Sequence, residues 1–304
     1  MALTDKIPFG MSLPHRSPDQ IAMSAVRNVA QRADALGFAD LWVTENTIDQ
    51  AFSFDPMVVL TYAAALTTRI RLGTSVVVLP VRSPIHVAHA VTSLDYVSDG
   101  RAILGVGLGR EHYAAFHVPT ERRVRRFLEQ IELIRAIWSQ ANVNYEGQIF
   151  RFKGVMTLKP VQKPRPPIWL GGTHPGALRR AAAVADGWMG AGGQSTAGFG
   201  ESVKVLRSAL EKAGRDPAAF PISKRVFMSV HEDPSIARAE VNRWFTEVYH
   251  NPAQTDTNGV FGTPEQVRDQ LEQLIAMGAN HLLLNPVARH EEQLEALASI
   301  VGLA

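Results

Sequence analysis

Short apolar runs alternate with longer amphipathic stretches along the chain, and the alternation repeats eight times. Residues 7–13 (IPFGMSL) read as a first strand. Ser17-Pro18-Asp19-Gln20 has the composition of a capping box with proline at the first helical position. Ile21, Val26, Val29, Ala33 and Leu36 follow at helical spacing, up to a stop at Gly37. Residues 38–43 (FADLWV) form a second strand ending in Thr44-Glu45-Asn46. Strand, capped helix, glycine and strand make a βαβ unit, whose crossover is right-handed.

Asp55 and Pro56 open a helix through Leu66, and residues 70–80 (IRLGTSVVVLP) carry the third strand. That run is apolar and β-branched, as in a strand covered on both faces, yet it holds Thr74 and Ser75 near its middle. Buried hydroxyls need partners, so this polar pair marks the strand as unusual. Ser83-Pro84 starts a helix ending near Val97, followed by a fourth strand over 101–106. Pro119 is expected to begin a helix through Trp138, with Phe127, Ile131, Ile134 and Trp138 on one stripe. Residues 144–152 (NYEGQIFRF) read as a hairpin outside the repeat, and residues 159–167 are extended by their four prolines.

The fifth and sixth strands fall at 168–170 and 187–191, with a helix over 175–185 between them. Residues 192–200 (GGQSTAGFG) read as a mobile loop before a helix over 201–213. Strand seven covers 222–230, a helix runs over 234–249, and residues 250–259 lack periodicity and are expected to be exposed. Thr263-Pro264-Glu265-Gln266 repeats the capping box, Gly278 repeats the stop, residues 281–285 are the eighth strand and 291–301 the last helix. Eight strands alternating with eight helices predict an α/β fold, a (β/α)8 TIM barrel, in one domain over 1–304 with insertions in the βα loops. An open doubly wound sheet is the alternative.

Composition narrows the function. The 304 residues are ample for one such barrel, and no run approaches the roughly 20 apolar residues of a membrane span. A net charge of +2 gives no case for nucleic acid. With no cysteine, disulfides, thiolate metal sites and a cysteine nucleophile are excluded. The first residues lack a basic segment followed by a long apolar run, so a cytoplasmic protein is expected. His86 and His89 have no carboxylate at ligand spacing, and no metal site is expected.

In a barrel of this kind the chemistry sits at the C-terminal ends of the strands. Those ends supply His15 and Arg16, Glu45 and Asn46, Ser75 and Val76, and then Gly105, Gly107, Gly109 and Arg110. The glycine run is not the dinucleotide fingerprint, because its third glycine comes one residue early. It suits backbone lying close to a flat ligand, or an ordinary loop. Gly171-Gly172-Thr173-His174-Pro175 is more specific. A glycine pair running into a helix that proline can start exposes N–H groups at the positive end of the helix dipole, which is a phosphate cradle. Thr173 serves equally as a helix N-cap. Arg110 and one or two of Arg122, Arg123, Arg125 and Arg126 could supply counter-charge.

Taken jointly, the segments RADALGFADLWVTEN, TTRIRLGTSVVVLPVRSPIHVAHAVTSLDYVSDGRAILGVGLG, FRFKGVMTLKPVQKPRPPIWLGG, ALRRAAAVADGW and VFGTPEQVRDQLEQLIAMGANHLLL resemble the bacterial luciferase-like monooxygenases. The resemblance covers residues 9–285. It implies a (β/α)8 barrel that binds FMN or the deazaflavin coenzyme F420 at its C-terminal face and forms a homodimer. It also implies a non-prolyl cis peptide in the third strand, here between Ser75 and Val76, behind the ring. Thr74, Ser75, Val76, Gly107, Gly109, Arg110 and Arg125 would then line the cofactor, with its phosphate at Gly171, Gly172, Thr173 and His174. Many relatives carry an acid followed by histidine after strand two, whereas this chain has Glu45-Asn46. An amide exchanges no protons near neutral pH, so His15, His112 and His174 are the stand-ins.

The function expected is an oxidoreductase acting on a small organic substrate, by F420-dependent hydride transfer or FMN-dependent monooxygenation. A flavin reductase or deazaflavin reductase would supply the reduced cofactor. A non-catalytic flavin-sequestering barrel is the alternative, to which Asn46 lends weight. A barrel acting on sugar phosphates lacks a metal or lysine constellation at the strand ends.

Overall fold

The structure is a computed structural model and describes residues 2–109 and 113–304. Arg110 and His112 lie outside the described residues. Eight strands run parallel in one ring: β1 (Phe9–Ser12), β2 (Asp40–Val43), β3 (Arg71–Thr74), β4 (Ala102–Gly107), β5 (Ile168–Gly171), β6 (Gly187–Gly190), β7 (Ile222–Val230) and β8 (His281–Pro286). Each pairs with its neighbour in chain order, and β8 pairs with β1 to close the barrel. The open-sheet alternative is thereby excluded.

Around the ring lie α1 (Met23–Leu36), α2 (Pro56–Leu66), α3 (Pro84–Val97), α4 (Arg123–Ser139), α5 (Pro175–Val184), α6 (Thr196–Lys212), α7 (Pro234–Glu247), α8 (Pro264–Ala276) and α9 (His290–Val301). The expected hairpin is present between α4 and β5, as Val143–Glu146 paired antiparallel with Arg151–Gly154. At α8 both halves of the capping box form, with Thr263 bonding Gln266 N–H and Gln266 bonding Thr263 N–H. Asp55 caps α2 by accepting from Met57 and Val58.

Four expectations are corrected. Ser17 to Gln20 cap no helix, because Arg16–Ser17 pairs with Phe52–Ser53 as a short ribbon and α1 starts only at Met23. Helix α4 starts at Arg123 rather than Pro119, since Arg122 stands at φ 56°, outside helical geometry. Residues 192–200 are not a free loop. Ser195 accepts from Gly198 N–H, so α6 already begins at Thr196. Buried Lys224 donates to the carbonyls of Ala191 and Gln194, at 3.3 and 2.8 Å. Residues 250–259 are only partly exposed: Thr255 and Asn258 are buried, and Asn258 donates to the Gly193 carbonyl at 2.9 Å.

The barrel lumen is filled in its middle by Trp42, Ile103, Trp169, Met189 and Leu283. The two indoles lie 5.1 Å apart. They fit because Gly73 and Gly187 face them, where an added Cβ would come within 2.4 Å of Trp42 and 2.6 Å of Trp169. Beneath this plug is a buried polar floor. His281 bonds Asp40 at 2.9 Å through Nε2 and Ser223 at 2.7 Å through Nδ1. Asp40 also accepts from the Trp42 indole and, at 2.8 Å, from Arg71. Burial pushes the Asp40 carboxyl up, but His281, Arg71 and the indole outweigh it and hold it at about 2.

Candidate active site

The mouth of the barrel is shaped by β3. The Ser75–Val76 peptide is cis, as the resemblance implied. Gly73 is level with Ile103 and Val77 with Val106, so three residues of the third strand face two of β4. This is a bulge with one extra residue. Thr74 fills the broken ladder: its hydroxyl donates to the Gly105 carbonyl at 2.7 Å and accepts from Gly105 N–H at 2.9 Å. Thr74 is therefore spent on the backbone and does not face a cofactor. Its partner in the sequence pattern, Ser75, donates its N–H to Val43 at 2.7 Å.

Gly107 and Gly109 make room for the bulge. An added Cβ at Gly107 would meet Val76 at 2.7 Å, and one at Gly109 would meet Val78 at 2.6 Å. The flat object against these glycines is the chain's own third strand. Val76 remains partly exposed, with Gly171 on its other side.

Glu45 is a brace. Its carboxylate accepts from Val78 N–H and from Arg82 Nε, each at 2.7 Å, and Arg82 continues to Asp55 at 2.7 Å. With both oxygens held, it anchors the segment after the kink. Asn46 leads to His15. Asn46 Nδ2 donates to the Thr44 hydroxyl at 2.7 Å, which lies 2.7 Å from His15 Nε2. Thr44 N–H donates to the same Nε2 at 2.8 Å, so that nitrogen is the acceptor and Nδ1–H donates to Leu13 at 2.7 Å. Burial pushes His15 down to about 3, against the Leu13 bond and helped by Arg225 and Arg16. His15 is neutral at physiological pH, with both nitrogens engaged, and is not the proton donor the sequence suggested.

At the end of β5, Gly172 stands at φ 125°, a conformation that favours glycine, and its carbonyl accepts from Trp188 at 2.8 Å. The N-cap of α5 is His174 rather than Thr173; its Nδ1 accepts from Gly176 N–H at 3.1 Å. Among the described residues the N–H groups of Thr173 and His174 have no protein acceptor. The turn retains the donors of an anion cradle.

The arginine cluster divides. Arg125 is paired with Glu129 at 2.7 Å, toward the hairpin whose backbone Glu129 also holds, so it is withdrawn from the cofactor set. Arg126 lines a separate cavity of about 280 Å³ with Pro80, Arg82, Gln130 and Phe150. The residue that sequence reasoning missed is Arg225, on β7. It donates to the Ser75 carbonyl at 3.1 Å and to the Tyr249 hydroxyl at 3.0 Å. The signal was present as two adjacent cations, Lys224-Arg225, inside an otherwise apolar strand. Among the described residues no group of three or more His, Asp or Glu could hold a metal ion, and no helix is long and apolar enough to cross a membrane.

The profile of the luciferase-like monooxygenases matches residues 7–259. The chain belongs to that family. Among curated proteins it is 28% identical over 245 residues to the F420-dependent glucose-6-phosphate dehydrogenase of Kineococcus radiotolerans, covering 79% of this chain and 72% of that protein. It is 36% identical over 169 residues to an uncharacterised Mycobacterium tuberculosis protein, covering 54% of this chain and 58% of that one. Among solved structures, the monooxygenase RslO1 from Streptomyces bottropensis superposes with a TM-score of 0.83 at 24% identity, over 97% of this chain and 98% of that one. An F420-dependent secondary alcohol dehydrogenase in complex with an F420–acetone adduct does so at 0.86 and 18%, over 98% and 99%. The family thus comprises F420- and FMN-dependent oxidoreductases, and this chain has their barrel.

Proposed function

We propose that this protein is a coenzyme F420-dependent oxidoreductase that transfers hydride to or from a small organic substrate. The observation that carries it is the pairing, on one rim, of the Ser75–Val76 bulge with the open N–H groups of Thr173 and His174. A bulge with Val76 partly exposed gives a ring something to rest on, and the β5 turn suits its phosphate. F420 is favoured over FMN because the curated relatives with a named activity include the F420-dependent dehydrogenase. When bound, the cofactor supplies the hydride chemistry. The chain's part is to seat it, keep the kink rigid through Glu45 and Arg82, and place Asn46 as a hydrogen-bonding but proton-inert group.

Fluorescence titration with F420 and with FMN tests the reading. Tight F420 binding is expected, and Thr173→Glu should weaken it at least about tenfold by placing a carboxylate against the phosphate. Binding of FMN alone would move the protein to the monooxygenase branch; binding of neither would overturn the proposal. Binding without turnover of any F420-linked substrate would favour the sequestering alternative. A reductase supplying reduced cofactor belongs to the same reading. So does a homodimer, for which the outer faces of α2 and α3 are the candidate surface. They expose Val58, Ile85, Tyr96 and Val97, and Asp95, the one charged residue in the two helices, is buried.

A further inference from the structure

Among the described residues, Arg225 is a cation without a counter-ion at the barrel mouth. Its two hydrogen bonds go to neutral oxygens, the Ser75 carbonyl and the Tyr249 hydroxyl. Its Nε is buried and unpartnered. Among the described residues no carboxylate pairs with it, in contrast to Arg82 with Glu45 and Arg289 with Glu240. The neighbouring cation, Arg16, is already neutralised by Asp49, and His15 is neutral. Removing a guanidinium from water without a partner charge is costly, and the usual resolution is an anion.

The surroundings describe the rest of that anion. The guanidinium lies 4.8 Å over the Phe227 ring. Phe227 packs with Trp244, Phe245 and Tyr249 at ring separations of 5.2 to 5.8 Å. Val248 and Val287 complete this buried cluster, from which Tyr249 is partly exposed. It lies on β7, on α7 and the segment after it, and just past β8, away from the phosphate cradle on β5. Arg225 is partly exposed, so a ligand at the mouth can reach it.

We infer that Arg225 recognises the substrate, and that the substrate is an apolar molecule bearing one carboxylate or sulfonate group. The partly exposed Tyr249 takes the apolar body, while the guanidinium takes the oxygens in its planar fork. This rests on the proposed oxidoreductase reading and deepens it by naming the substrate class.

The test uses a matched pair of probes, benzenesulfonate and methyl phenyl sulfone, which share shape and differ in charge. Calorimetric titration is run on the whole chain with and without bound cofactor, so that failure to bind cofactor is read separately from failure to discriminate charge. Benzenesulfonate should bind at least about tenfold more tightly than the sulfone. Arg225→Met should abolish that preference and Arg225→Lys should keep part of it. Tyr249→Phe should preserve it, because it removes only a neutral acceptor. Equal binding of both probes by the native chain would overturn the inference, as would a preference surviving in Arg225→Met. If Arg225→Met does not fold, the native chain and Tyr249→Phe still decide: loss of the preference in Tyr249→Phe would make the tyrosine, not the arginine, the recognising group.

Discussion

The floor and the mouth of this barrel each hold a polar cluster built around a histidine, and only one of them is placed for chemistry. On the floor, Ser223, His281 and Asp40 line up in the order of a hydrolase triad, at 2.7 and 2.9 Å. The serine and aspartate are fully buried and the histidine is nearly so, beneath a plug of two tryptophans. No substrate reaches them. The mouth has a looser set, in which Asn46, Thr44 and His15 form a chain and Arg225 is left without an anion. Satisfied polar networks fix a core, whereas an incompletely satisfied group at an open rim is available to a ligand. Triad geometry is therefore a poor guide to function without access.

The largest test of that contrast is Asp40→Ala. It strips the partner from Arg71 and His281 together, and should destabilise the fold by about 3–5 kcal/mol in denaturant unfolding. Acid titration then separates the two regions. His15 is lowered to about 3 in the fold, so below its unfolded value the unfolded chain binds a proton that the native chain refuses. The stability it contributes is full above about pH 6.5 and falls as pH drops from there, at about 1.4 kcal/mol per unit at steepest. Asp40, lowered to about 2, contributes stability that is full above its unfolded value and is lost only as pH falls from about 4 toward 2. The mouth should thus weaken before the floor does, and His15→Gln should reduce the earlier slope, which His290, held by burial at about 4, shares, while leaving the later one. A single acid transition unchanged in that variant would break the distinction.

Ser223→Ala should cost about 1 kcal/mol, the worth of one buried hydrogen bond, and leave cofactor affinity unchanged. Any loss of turnover beyond the loss of folded protein would show that the floor communicates with the mouth. The smallest effect on binding is expected from Asn46→His. Cofactor Kd should stay within about threefold, because among the described residues the Asn46 side chain bonds only Thr44, while kcat shifts and gains a pH dependence from the new imidazole. Equal effects on binding and turnover would move Asn46 away from the reacting centre.

The alternation of apolar runs and capped helices determined the barrel, since a parallel strand buried on both faces and a helix with one apolar stripe pack in few ways. Local punctuation such as Thr263 to Gln266, Asp55-Pro56 and Gly37 was readable because capping depends on residues within one turn. The polar pair Thr74-Ser75 marked the third strand as unusual, with the kink itself implied by the family resemblance, and the glycines before His174 marked the donors of the β5 turn. What each site residue does depended on contacts between distant strands. Only the folded ring shows that Glu45 is a brace, that Gly107 and Gly109 make room for Val76 and Val78, and that Arg125 faces Glu129. Arg225 sits 150 residues from the Ser75 carbonyl it holds. Spacing along the chain carries no information about such a pair; closure of the sheet brings it together.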